Sequence, residues 1–92
     1  MEYKASHILV KDRSLANEIL KRVKRGENFG TLAKEHSICG SKSKGGDLGW
    51  FGPGKMVPKF EEAVKKLRNG QISSLVGTQF GFHIIKKTGQ RD

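Results

Sequence analysis

The three histidines and the one cysteine, His7, His36, His83 and Cys39, are the side chains whose ordinary pKa lies nearest neutral pH. His7 lies in an alternating run beside Ala5 and Leu9, and His83 lies between Phe82 and Ile84. A single histidine on an apolar strand is ordinarily a hydrogen-bonded core residue. Two, in the first and last strands, touch if those strands are neighbours in the sheet. A neutral imidazole donates from one nitrogen and accepts at the other, so such a pair shares a proton and fixes both tautomers. Cys39 admits three readings: a thiol nucleophile, a metal ligand or a buried structural thiol. Three histidines and a cysteine would suffice for zinc, but no C-x-x-C or H-E-x-x-H occurs, and no metal or cofactor is expected. A thiol protease or oxidoreductase ranks last, because neither a third orienting residue nor a resolving cysteine is evident. Leu48, Met56 and Phe60 can be plain core. Met56, however, stands on a Gly-Pro-Gly approach to a helix, where a Met and a Phe make an adaptable slot for a compact ring such as proline. Trp50 and Phe51 with Lys42, Lys44 and Lys55 suggest a base-stacking patch, but no RNA-recognition or helix-turn-helix signature accompanies them. GGDLGWFGPG also lacks the Lys-Ser/Thr of a P-loop.

These side chains need elements to position them. Residues 3–10 alternate, with Tyr3, Ala5, His7 and Leu9 on one face and Lys4, Ser6, Ile8 and Val10 on the other, which predicts a strand. Ser14 can cap a helix whose apolar positions are Leu15, Ala16, Ile19, Leu20 and Val23, and Gly26 ends it. Asn28 can cap a shorter helix with Phe29, Leu32, Ala33 and His36 on one side. From Cys39 to Gly54 the chain is dense in Gly, Ser and Lys, and only a short strand near Leu48–Phe51 is expected. Pro58 suits the first turn of a third helix with the stripe Phe60, Ala63, Val64 and Leu67. Glu61–Lys65 and Glu62–Lys66 are favourably oriented i,i+4 pairs, and Asn69-Gly70 terminates the helix. Two strands near Ser73–Val76 and Phe82–Lys87, joined through Gln79–Gly81, complete the order βααβαββ. The expectation is a single α+β domain over residues 1–92, with a small, mostly antiparallel four-stranded sheet flanked by three to four helices.

A chain of 92 residues can bury one modest core and has no room for a large cofactor-binding unit. Its net charge of +9, from 18 Lys and Arg against 9 Asp and Glu, favours anionic partners such as nucleic acid or an acidic membrane face. The lysines are spread along the chain, so solvated faces are the plainer reading. One cysteine excludes an internal disulfide framework, and no stretch reaches the roughly 20 apolar residues of a membrane span. A soluble, cytoplasmic monomer is expected.

Four segments carry a resemblance. The ASHILVK strand, the HSIC junction, the block KGGDLGWFGPGKMVPKFEEAV and the TQFGFHIIK strand resemble, in order and spacing, the parvulin family of peptidyl-prolyl cis/trans isomerases. The resemblance covers nearly the whole chain and implies the parvulin-like member of the FKBP-like superfold. It implies an isomerase that needs no cofactor, assists protein folding and acts on proline-containing polypeptides. By position, His7 and His83 match the family's paired histidines, Cys39 a residue facing the twisting amide, and Thr78 a polar residue behind the histidines. Leu48, Met56 and Phe60 match the proline pocket, Phe80 its rim, and Asp47 a supporting position in GGDLG. Phosphate-directed relatives carry a long basic loop after the first strand. Here that loop is roughly Lys11-Asp12-Arg13, which points away from a strict phosphoserine or phosphothreonine requirement and is compatible with a basic or apolar residue before proline. The alternatives are a non-catalytic proline-peptide binding module, and a basic adaptor for nucleic acid or anionic membrane surfaces.

Overall fold

The structure, a computed structural model, describes residues 1–92. In chain order it comprises β1 (Glu2–Val10), α1 (Arg13–Lys24), α2 (Phe29–His36), a short 3-10 helix (Gly40–Lys44), β2 (Asp47–Phe51), α3 (Pro58–Lys66), β3 (Val76–Thr78) and β4 (Gly81–Arg91). The four strands form one sheet in the order β2-β1-β4-β3, and every pairing is antiparallel. The first and last long strands are therefore central neighbours. That is the arrangement on which contact between His7 and His83 depends.

The alternation in β1 serves two cores, one on each side of the sheet. Ile8 and Val10 pack with Ala16, Ile19 and Val23 of α1 and Leu32 and Ala33 of α2. Tyr3 and Ala5 pack with Phe51, Ile85 and the Phe60 and Val64 stripe of α3. Because β1 is covered on both faces, its side chains from Ala5 onward are buried at every position except Ser6. His7 lies on the α3 side, among the second core.

Local chemistry sets several boundaries differently from the sequence expectation. Asp12, not Ser14, caps α1: its carboxylate accepts the Ser14 N–H at 3.1 Å, so the helix starts at Arg13. Asn28 caps α2 by accepting the Thr31 N–H at 2.8 Å. The stretch after Cys39 is more regular than its composition suggests, because Gly45 closes the 3-10 helix in the left-handed region at φ 68. Helix α3 ends at Lys66, before Asn69-Gly70, and of its two pairs only Glu61–Lys65 closes, at 3.0 Å.

The penultimate strand lies at Val76–Thr78 instead of Ser73–Val76. Ser73 explains the shift. Its backbone N–H bonds the Ile85 carbonyl at 2.8 Å, but its hydroxyl takes the Ile85 N–H at 3.1 Å, so a side chain replaces one rung of the ladder. Only an isolated bridge, Ile72 with Lys86, remains there. Strand β4 runs on to Arg91, beyond the expected Lys87, because it keeps pairing with the start of β1, where Arg91 meets Glu2 at 2.8 Å.

Candidate active site

The sheet register puts three polar side chains on one diagonal. His7 of β1 lies opposite Ile85, and His83 of β4 lies opposite Leu9, so the two imidazoles are diagonal neighbours on one face. His83 also lies opposite Val76 of β3, and Thr78 opposite Gly81, which makes Thr78 the next step of the same diagonal. The contacts follow. His7 Nδ1 is 2.9 Å from His83 Nδ1, and the rings stack with centroids 5.1 Å apart. His83 Nε2 is 2.8 Å from Thr78 Oγ1, which also accepts the Phe80 N–H at 3.2 Å.

Burial decides the protonation of this line. His7 is 5% exposed and His83 is 4% exposed. Burial lowers the His7 pKa to about 4, with a smaller contribution from the charge His83 would carry. Burial lowers that of His83 too. Both rings are neutral at pH 7, so a single proton lies between the two Nδ1 atoms. The direction of the chain is assigned from the network. The Thr78 hydroxyl has one acceptor in reach, His83 Nε2, and donates to it. His83 Nδ1 then carries hydrogen and donates to His7 Nδ1. His7 is left with its proton on Nε2, a buried atom with no partner.

Above this line is a cleft of about 410 Å³, lined by His7, Leu9, Cys39, Leu48, Lys55, Met56, Val57, Phe60, Phe80 and His83. Its walls come from all parts of the fold. The Phe60 ring meets both imidazoles edge-on, at 5.5 Å from His7 and 5.4 Å from His83. Cys39 enters from the junction after α2, where the buried Ser37 hydroxyl accepts the N–H groups of Leu9 and Cys39 at 3.1 and 3.3 Å. Leu48 is carried on β2. The preceding Gly46 has φ +88, and a Cβ there would stand 2.4 Å from the His7 carbonyl oxygen. Its own carbonyl accepts the His7 N–H at 3.0 Å. Only glycine permits this approach of the loop to the histidine strand. Met56 and Lys55 belong to the loop before α3, which is pinned where Glu61 accepts the Gly54 N–H at 2.8 Å. Phe80, half exposed, stands at the rim.

The expected residues thus converge, with distinctions. His7, Cys39, His83, Leu48, Met56, Phe60 and Phe80 line one cleft, and Thr78 lies behind the histidines. Asp47 is outside the lining; its carboxylate accepts the Gly49 N–H at 2.9 Å and shapes the turn that holds Leu48. His36 is elsewhere, at the end of α2, 3.6 Å from Glu35. Trp50 lies against the Arg91 guanidinium, 4.1 Å above its ring, and is no free stacking platform. Leu9, Lys55 and Val57 also line the cleft, a place the sequence reading gives to none of them, Lys55 entering it only as a neighbour of Trp50. Leu9 had a signal, since it stands two residues from His7 on the same strand face. Lys55 and Val57 merely flank Met56 in an irregular loop.

The cleft holds a ring against apolar walls and offers neutral hydrogen-bonding groups beneath it. No hydrogen bond joins the Cys39 thiol to a histidine of the cleft. Such a site suits rotation of a bound group more than bond cleavage, the class of a rotamase domain. The comparisons agree. The profile of the rotamase family, the PPIC-type PPIase domain, matches residues 7–89. The foldase protein PrsA of Geobacillus kaustophilus is 58% identical over 86 residues, 92% of this chain and 31% of that protein. The crystal structure of the peptidylprolyl isomerase PrsA from Bacillus anthracis superposes with a TM-score of 0.97 at 53% identity, covering 99% of this chain and 42% of the other. The parvulin NmPin of Nitrosopumilus maritimus has a TM-score of 0.85 at 49% identity, covering 96% of each chain. The chain belongs to the parvulin, or PPIC-type, family of peptidyl-prolyl cis/trans isomerases, whose substrates are proline-containing polypeptides. It spans about a third of the length of the PrsA relatives. No helix is long and apolar enough to cross a membrane.

Proposed function

We propose that residues 1–92 form one isomerase domain whose catalytic cleft is the one above the His7–His83–Thr78 line. The observation that carries this reading is the hydrogen-bonded diagonal beneath an apolar slot. Turning a peptide bond costs roughly 18–20 kcal/mol because resonance is lost. X-Pro bonds still exchange only over tens to hundreds of seconds. Since no bond is made or broken, the site has only to hold the twisted amide more tightly than either planar form. Leu48, Met56 and Phe60 grip the proline ring while the preceding residue turns. The apolar walls remove the water that hydrogen-bonds the planar carbonyl. The neutral histidine pair, oriented by Thr78, keeps a donor and no net charge beside the amide as its nitrogen becomes basic. Cys39 contributes a weakly polar wall, not a covalent bond, and Phe80 closes the rim.

The substrate requirement in this reading is not phosphate-specific. The β1–α1 connection is Lys11-Asp12, and Asp12 is committed to capping α1. The domain would assist the folding of other chains, as the foldase name of the PrsA relatives suggests. A monomer is supported by the few large apolar side chains left exposed, Met1, Ile38, Trp50 and Phe80, of which Phe80 rims the cleft. A cytoplasmic site is supported by the free thiol of Cys39 alone. The charge of +9 favours acidic partners and would show as salt-dependent retention on an anionic matrix. The test is a protease-free isomerisation assay on an Ala-Pro peptide with wild type, Met56→Ala and Thr78→Val. Acceleration that falls in both variants, with unchanged circular dichroism, is expected. Acceleration indifferent to both would remove the cleft from the mechanism.

A further inference from the structure

Strand β2 pairs with β1 only as far as Ser6, so the edge of β1 beside His7 and Leu9 is left to other parts of the chain. Three bonds close it. The Gly46 carbonyl accepts the His7 N–H at 3.0 Å, the Leu9 carbonyl accepts the Ile38 N–H at 2.8 Å, and the Ser37 hydroxyl accepts the Leu9 N–H at 3.1 Å. Ser37 supplies the one side chain among them. The same oxygen accepts the Cys39 N–H at 3.3 Å. Ser37 is 3% exposed and follows directly on α2, where its own N–H bonds the Ala33 carbonyl at 3.0 Å. Its hydroxyl is thus fixed between a helix end and the histidine strand and shielded from water. Leu9 and Cys39 both line the cleft, whereas Ser37 does not. The residues assigned to the proline ring hang on other elements: Leu48 on β2, Met56 on the loop before α3, and Phe60 on α3. One buried hydroxyl therefore couples the wall of Leu9 and Cys39 to the strand of His7, independently of the proline slot.

We propose that Ser37 is a positioning residue of the isomerase, holding Cys39 and Leu9 where the turning amide fits between them and the histidine pair. This rests on the isomerase reading of the cleft. Alanine at position 37 leaves the buried Leu9 N–H without its acceptor and releases the Cys39 N–H. The Cys39 wall then drifts, while Leu48, Met56 and Phe60 keep their own supports. Ground-state binding of the peptide is preserved and the barrier rises, because only the twisted form needs this wall in register. The loss of one such hydrogen bond corresponds to a roughly three- to tenfold fall in kcat.

The experiment is a double-mutant cycle, read as kcat and KM by exchange NMR on an Ala-Pro peptide under reducing conditions. The proteins are wild type, Ser37→Ala, Cys39→Ala and the double variant. Ser37→Cys, of similar size but a poorer acceptor, stands in if the alanine variant does not fold. Expected are a fall in kcat at unchanged KM in Ser37→Ala, a smaller fall in Ser37→Cys, and amide proton shifts at Leu9 and Cys39 in both. In the Cys39→Ala background the change at position 37 should cost much less, because the wall it positions is already gone. A merely structural serine would lower stability and leave the kcat of the folded protein intact, which overturns the proposal. An undiminished loss in the Cys39→Ala background, or a loss confined to KM, overturns it as well. If a folded wild type accelerates no X-Pro peptide, the isomerase reading itself fails and takes this inference with it.

Discussion

The burial of His7 makes the fold sensitive to mild acid in a calculable way. Its pKa falls from 6.5 to about 4, through burial first and the neighbouring His83 second. The native state therefore stays neutral at His7 between those values while the unfolded chain takes up a proton. Stability from this group is complete above pH 6.5 and is lost as pH falls towards 4. Each unit of the gap is worth about 1.4 kcal/mol, so His7 alone removes about 2 kcal/mol between pH 8 and pH 5. His83 adds a loss of the same sign. The interval above pH 5 is the cleaner one, because the carboxyls of Glu27 and Glu61 have lowered pKa values and contribute only as pH falls further. The assay is urea unfolding followed by Trp50 emission at half-unit steps from pH 8 to 5, in wild type and His7→Gln. Wild type should lose about 2 kcal/mol more than the variant across that range. Identical profiles, or a wild type that gains stability on acidification, would refute the assignment of a buried neutral imidazole at position 7.

Other expectations follow from the same contacts. Cys39→Ser should keep measurable isomerase activity, because no hydrogen bond joins the thiol to a base; complete loss in a protein with native circular dichroism would restore a covalent role. Phe60→Ala removes a side chain 3% exposed that both walls the cleft and seats α3 on the sheet, so unfolding should become easier by about 3–5 kcal/mol along with weaker peptide binding. Gly46→Ala drives a methyl to 2.4 Å from the His7 carbonyl in a left-handed backbone, and thermal melts should report a loss of at least about 1–3 kcal/mol with displaced His7 resonances.

The parts legible in the sequence were those written in local chemistry or in period. The alternation of Tyr3–Val10 announced β1, and the stripes of α1 and α3 announced which faces are buried. The element order is legible too, whereas the contact of His7 with His83 depends on the first and last strands being neighbours, which the sheet order supplies. The less legible parts depended on competition between equivalent groups. Asp12 and Ser14 can both cap a helix, and tertiary placement chose Asp12. Ser73 reads as strand, but its hydroxyl takes an N–H that a backbone carbonyl would otherwise hold, displacing β3 to Val76. The lining residues Lys55 and Val57 lie in a loop with no periodicity, so their place in the cleft depends on the Glu61–Gly54 tie, a contact no spacing rule announces. Asp47 sits in a motif beside the site, yet its side chain is turned to its own backbone.

The central claim is that proline turns over in the cleft above the histidine pair. It is tested most directly by titrating the labelled protein with an X-Pro peptide while recording both cis/trans exchange peaks and backbone amide shifts. The account predicts that exchange accelerates and that shifts concentrate at Cys39, Leu48, Met56, Phe80 and His83. Accelerated exchange with shifts gathered instead along the basic groove of Lys65, Lys66, Arg68 and Lys87, or no exchange at all, would contradict it.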